Sequence, residues 1–204
     1  FAKTKDDETK DAYRIFSKLL INRNIHTVSG AIEFNNLKLE QLHDPFLMMS
    51  MDKAVSRIEN AISKKEKIMV YGDYDVDGTT SVALMVSYLK ELTNQLTYYI
   101  PDRYTEGYGI SQIGIDSANE QNVDLIIALD CGIKAVEKVD YANSLNIDFI
   151  ICDHHTPGDK IPNAIAVLKI APPECGTKWP VSAFGTMSIK ASPQHKIISN
   201  TPHN

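Results

Sequence analysis

Apolar positions along this chain follow two different rhythms. Ala12, Ile15, Phe16, Leu19 and Leu20 share one face at helical spacing, which predicts an amphipathic helix over about 8–22. A polar, turn-rich stretch follows, and Ala54, Ile58, Ala61 and Ile62 then predict a second helix over about 51–63. From Lys67 onward short apolar runs take over, at Ile68–Tyr71, Leu96–Ile100, Leu125–Leu129, Phe149–Cys152 and Ala164–Leu168. Each is of strand length, and helix-like segments at about 79–93, 111–121 and 133–146 separate the first four. Nearly continuous apolar strands alternating with helices are the mark of a parallel sheet covered on both faces. The fold expected is therefore α/β, a doubly wound, mainly parallel five-stranded sheet with flanking helices, preceded by an amino-terminal helical region. In domain terms the pattern divides into a helical region over 1–64, an α/β domain over 65–170 and an irregular tail over 171–204. Seven of the nine prolines lie at or beyond Pro157, and no clear period survives after Leu168, hence the last assignment.

Composition changes this picture little. With 43% hydrophobic and 23% charged residues, the 204-residue chain can bury a core and is no disordered polyelectrolyte. No apolar run approaches the length of a membrane span, and the polar stretch from Phe1 to Lys10 lacks the apolar core of a secretion signal. Cys131, Cys152 and Cys175 have no zinc-type spacing and read as buried thiols in a reducing compartment, so a cytoplasmic location is expected. The net charge of −5 argues mildly against a nucleic-acid partner. That objection weakens if the acidity is concentrated in a metal site.

Such a concentration is visible. The first strand runs into Gly72-Asp73-Tyr74-Asp75-Val76-Asp77-Gly78, the second into Pro101-Asp102-Arg103, the third into Asp130-Cys131-Gly132, and the fourth into Asp153-His154-His155. Open parallel sheets bind ligands in the crevice outside the carboxyl ends of their strands. Gly78 and Gly132 follow the acidic groups, where they allow tight turns and close approach. Gathering Asp73, Asp75, Asp77, Asp130 and Asp153 would be strongly unfavourable without cations. Oxygen donors with one or two imidazoles suit Mn²⁺ or Mg²⁺, and two such ions form the centre that two-metal phosphoester hydrolysis uses. Taken singly, an Asp at a strand end is more often a helix N-cap, and a His pair more often solvated surface. Asp-x-Asp-x-Asp-Gly also has the start of a calcium loop, but lacks the Glu at the twelfth position and follows a strand. Joint placement at four strand ends favours the metal site.

These residues resemble a known family. Gly72-Asp-Tyr-Asp-Val-Asp-Gly-Thr-Thr-Ser81 is similar to the first motif of RecJ-type exonucleases, and Asp153-His154-His155 is the triplet that names the DHH superfamily. Asp130 within Ala-Leu-Asp-Cys-Gly resembles the second motif, and Ile100–Ser111 and Leu42–Leu47 resemble RecJ segments. The resemblance spans about residues 15–168. It implies a two-metal phosphodiesterase that degrades single-stranded DNA from the 5′ end in DNA repair and recombination. By resemblance, Asp73, Asp75 and Asp130 hold one Mn²⁺ or Mg²⁺ ion, and Asp77, Asp130 and His154 the other. Asp153 orients the imidazole from outside the ligand set, and His155 lies near the scissile phosphate. Arg103 is a candidate phosphate clamp or a structural ion-pair partner. Tyr104 and Tyr108 either stack on bases or pack locally. A single-stranded-DNA-binding protein and a helicase are the partners the resemblance implies, besides single-stranded DNA.

The departures are as specific. A fourth-motif Asp and a carboxy-terminal substrate-binding domain are not recognisable, and Val181–Gly185 is a distorted echo of the glycine-rich segment. The expectation is a truncated or altered tail and a chain weakly active or inactive by itself. Two rival classes stand beside this one: a DHH phosphoesterase of short oligonucleotides, nucleotides or pyrophosphate, and a silent DHH-like scaffold. The first usually opens its first motif with His, where this chain has Asp73. The second should have lost ligands that are intact here.

Overall fold

The computed structural model describes residues 5–36 and 44–168. The chain divides into two compact units at His43/Asp44. The first unit holds α1 (Lys5–Ile21) and α2 (Val28–Asn35). Helix α2 lies in the stretch expected to be turn-rich. Thr27 caps it by accepting a hydrogen bond from Gly30 N at 3.1 Å, but only 8 residues follow and none is buried, so its apolar spacing is too short to register as a period.

In the second unit a single 3₁₀ turn (Pro45–Leu47) precedes α3 (Met51–Lys64), β1 (Ile68–Gly72), α4 (Val76–Leu89), β2 (Leu96–Tyr99), α5 (Gln112–Glu120), β3 (Leu125–Leu129), α6 (Val136–Ser144), β4 (Asp148–Cys152) and β5 (Ala166–Leu168). The strands pair β2-β1-β3-β4-β5, all parallel, in one five-stranded sheet. This is a doubly wound order, and the expected α/β fold is present. Asp44 caps the 3₁₀ turn; Leu42 and His43 of the Leu42–Leu47 segment lie, like Cys175 and the tail, outside the described residues.

Alternation within the central strands explains their unbroken apolar runs. Ile68, Val70, Leu125, Ile127, Leu129 and Ile150 face one side, where Ala54 and Ala61 of α3 and Val82, Met85 and Leu89 of α4 cover them. Met69, Tyr71, Ile126, Ala128, Phe149 and Ile151 face the other, beneath Ile115 and Ala118 of α5 and Val139 and Ala142 of α6. A strand buried on both faces has no polar alternation to keep. β2, at the sheet edge, is only half-buried and reads Leu-Thr-Tyr-Tyr instead.

Local chemistry sets the helix starts. Asp75 accepts from Gly78 N at 2.9 Å to begin α4, and Ser111 Oγ accepts from Gly114 N at 2.8 Å to begin α5. Arg57 of α3 ties the helix to the sheet through Asp148 at 2.7 Å and Glu66 at 2.6 Å. Cys131 and Cys152 are buried, and burial pushes the Cys152 thiol up to about 12, so it is chemically quiet at neutral pH. Among the described residues no helix is long and apolar enough to cross a membrane.

Candidate metal centre

The carboxyl edge of the sheet is assembled by three strand ends. After β1 the chain places Asp73 in full burial, its Oδ1 accepting from Tyr74 N at 2.7 Å while Oδ2 is buried with no hydrogen-bond partner. Asp75 spends one oxygen on the α4 cap, and Asp77 stands exposed in the first turn of that helix. After β3, Asp130 is buried and left-handed at φ +60°, anchored by its amide to Cys152 O at 2.8 Å. A non-glycine residue rarely holds this conformation, and such strain collects at functional sites.

After β4 the three residues of the DHH triplet point at different partners. His154 Nε2 lies 3.0 Å from Asp130 Oδ1. Asp153 is buried; its Oδ2 accepts from Ile133 N at 2.9 Å, and its Oδ1 accepts from the amide and Nδ1 of His155 at 3.0 and 2.7 Å. The imidazole that Asp153 engages is therefore that of His155, whereas His154 turns to Asp130. Ligand atoms of Asp130, His154 and His155 lie within 4.8 Å of one another, and the two imidazole centroids are 4.7 Å apart. No comparable group among the described residues includes Asp73, Asp75 or Asp77.

Electrostatics marks the same place. Burial raises the Asp73 carboxyl above the ordinary range, against the Tyr74 amide and with added repulsion from Asp75. Burial likewise raises Asp130, where His154 works against the shift and Asp75 and Asp77 reinforce it. Two buried carboxyls are thus held where their charged forms are disfavoured. A divalent cation would relieve both and give the orphaned Oδ2 of Asp73 a partner. Carboxylate and imidazole donors suit Mn²⁺ or a similar ion, so the residues fit a metal.

The outer residues separate. Tyr108 reaches His155, hydroxyl to Nε2 at 3.1 Å, and packs edge-on to Tyr74 with centroids 6.2 Å apart. The Arg103 guanidinium sits 5.4 Å from the Tyr74 ring centroid, a cation–π contact. Tyr104 is 93% exposed. Asp102 is bound into a local turn, accepting from the amides of Tyr104 and Thr105 at 2.9 Å. Sequence reasoning passed over Tyr74, which lies inside the first motif, and Glu106, which accepts from Asp102 N at 2.8 Å and Tyr99 Oη at 2.9 Å. Tyr74 could have been found by its place among the three aspartates; no local pattern signals Glu106.

A doubly wound parallel sheet with carboxylates and paired imidazoles gathered at its carboxyl edge sets the class of this chain as an α/β fold with a candidate metal centre. Residues 67–199 match the model of the DHH family, N-terminal domain, and the chain belongs to the DHH family. The match continues past Leu168 into the stretch where the sequence shows no period. The chain is 38% identical over 188 residues to the single-stranded-DNA-specific exonuclease RecJ of Bacillus subtilis, covering 92% of this chain and 24% of that protein. It is 38% identical over 122 residues to the enzyme of the same name from Escherichia coli, covering 59% of this chain and 21% of that one. A crystal structure of exonuclease RecJ bound to manganese aligns with a TM-score of 0.59 at 29% identity, covering 76% of this chain and 38% of that one. The chain thus spans about a quarter of the length of these curated relatives.

Proposed function

We propose that this chain is the metal-binding part of a RecJ-type phosphodiesterase that hydrolyses single-stranded DNA from the 5′ end. The observation that carries the reading is the approach of Asp130, His154 and His155 within 4.8 Å at the carboxyl edge of the sheet. In this reading two Mn²⁺ or Mg²⁺ ions are held, one by Asp73, Asp75 and Asp130 and the other by Asp77, Asp130 and His154. When bound, such ions lower the pKa of a water and neutralise charge on phosphate oxygens. The protein's own groups do the rest. Asp153 fixes the His155 ring beside the phosphate, Arg103 attracts the strand and Tyr104 offers an exposed face to a base. A single-stranded-DNA-binding protein and a helicase are the protein partners this reading carries with it.

The test is digestion with Mn²⁺ at enzyme concentrations high enough to register slow turnover. Linear single-stranded DNA should shorten from its 5′ end while a circular strand survives. Rapid cutting of the circle would mean an endonuclease, and preference for dinucleotides or free nucleotides a small-substrate phosphoesterase. His154→Ala should lower turnover by several orders of magnitude with the fold retained.

A further inference from the structure

We infer that Tyr108 is a positioning residue, whose hydroxyl holds His155 in one orientation and keeps its Nε2 from becoming an additional metal ligand. The use of this restraint in catalysis rests on the phosphodiesterase reading; the restraint itself does not.

The loop is built to deliver this side chain. Tyr108 stands between Gly107 at φ +82° and Gly109 at φ +81°, both in the left-handed region that disfavours any residue with a Cβ. A Cβ on either glycine would meet nothing within 4 Å, so conformation and not space requires glycine there. Two such residues flank the tyrosine, and the backbone bends at Tyr108 and Gly109. Both flanks are tied to the sheet. Glu106 accepts from Asp102 N and from Tyr99 of β2, and the buried Tyr71 of β1 donates its hydroxyl to Gly109 O at 3.1 Å and accepts from Ser111 N at 3.0 Å.

Both ring nitrogens of His155 have partners. A carboxylate can only accept, which puts the proton of the 2.7 Å bond on His155 Nδ1. The Tyr108 hydroxyl lies 3.1 Å from Nε2: it donates to a neutral ring and accepts from a charged one, and in either case Nε2 is occupied. The contacts run from Tyr108 through His155 to Asp153, with Asp153 steadied by Ile133 N at 2.9 Å. Both nitrogens of His155 are engaged, although the ring lies in the same 4.8 Å group as Asp130 and His154. The adjacent histidines thereby acquire different duties: one faces the shared carboxylate, the other is withheld.

The experiment is a double-mutant cycle on Mn²⁺ affinity, with ring NMR on the metal-free chain. His155→Ala should change affinity little in the wild type, but at least about tenfold in a Tyr108→Phe background, where Nε2 is released to bind. Equal effects of His155→Ala in both backgrounds would overturn the inference. In the metal-free spectra, Tyr108→Phe and Gly109→Ala should each give a mobile or doubled His155 ring signal, with His154 signals in place. Gly109→Ala keeps the phenol and displaces only the loop, so it separates positioning from mere loss of a hydroxyl. An unchanged His155 ring in both variants would also overturn the inference. If the wild type neither binds Mn²⁺ nor cleaves DNA, the functional reading falls, and the ring spectra still decide the role of Tyr108.

Discussion

Asp130 and His154 meet at 3.0 Å, Oδ1 to Nε2, from the ends of two strands that are neighbours in the sheet. Asp130 is left-handed at the end of β3, and its amide donates a hydrogen bond to Cys152 O at 2.8 Å, which ties the end of β3 to the end of β4. The contact of Asp130 with His154 joins two groups that each have reason to bind a cation.

Asp130→Asn should therefore remove most Mn²⁺ binding. Changes outside the ligand set already cost about 10–100-fold in metal affinity, and a group proposed to serve both ions should cost at least the upper end of that range. Calorimetric titration of the variant checks this, and undiminished affinity would remove Asp130 from the ligand set.

The raised carboxyls give a prediction about pH. A carboxyl whose folded pKa lies above its unfolded value of about 3.9 adds stability below that value and loses it as pH rises through the folded pKa. Asp73 and Asp130 are both of this kind, so in the metal-free protein they oppose folding at neutral pH. Asp73→Asn should raise the metal-free melting temperature at pH 7 by about 2–4 °C, equivalent to about 1 kcal/mol. The gain should shrink on acidification toward the ordinary carboxyl range, and saturating Mn²⁺ should reverse the order of the two proteins. Scanning calorimetry across pH with and without metal reads all three effects. A variant less stable than wild type at every pH would contradict the electrostatic account.

Arg57 tests the scaffold rather than the site. It bridges Asp148 at the start of β4 and Glu66 just before β1, with its side chain only 13% exposed. Removing it leaves two carboxylates without their shared cation in partial burial, a worse outcome than losing the attraction alone. Arg57→Ala should cost about 2 kcal/mol, the buried-pair cost reduced because Asp148 reaches solvent. Urea denaturation measures the loss, and Mn²⁺ affinity under native conditions should stay within about threefold of wild type, a bound consistent with additivity between distant sites.

How much of this was legible in the sequence differs by element. The runs at Leu125–Leu129 and Phe149–Cys152 could be read because burial on both faces leaves no polar residue to blur the strand. Strand order could not, since parallel pairing is set by crossovers that span dozens of residues. Asp130, His154 and His155 were expected near one another because all follow strands of one sheet. Which carboxylate would meet which imidazole is a matter of ring direction, and neighbours in sequence such as His154 and His155 can turn opposite ways. Tyr108 reads in the sequence as a stacking or packing residue, and its bond to a residue 47 positions away leaves no trace in local spacing. Asp75 shows the reverse: an N-cap reading and a metal reading were set against each other, and its cap is present while its ligand role remains a proposal.

Gly78 provides the sharpest link between sequence and site. In the sequence it follows the acidic motif as a residue that allows close approach, and its surroundings show what approaches. A Cβ built on it would lie 2.4 Å from Asp73 O and 2.6 Å from Asp73 N, distances that no real Cβ occupies. The obstacle is backbone, so rotation of a flexible side chain cannot relieve it. Alanine could fit only if the first turn of α4 moved away from the end of β1. That movement would shift the buried Asp73 carboxylate and the Asp75 cap, whose hydrogen bond ends on Gly78 N itself. Overpacking of this kind costs about 1–3 kcal/mol, and the intrinsic helix preference of alanine over glycine, about 1 kcal/mol, should offset only part of it. Gly78→Ala is therefore expected to lower stability and weaken Mn²⁺ binding together, although it removes no ligand. Thermal melting and calorimetry on one preparation check the pair. A variant that gained stability and bound Mn²⁺ as the wild type does would mean that the end of β1 yields without displacing Asp73.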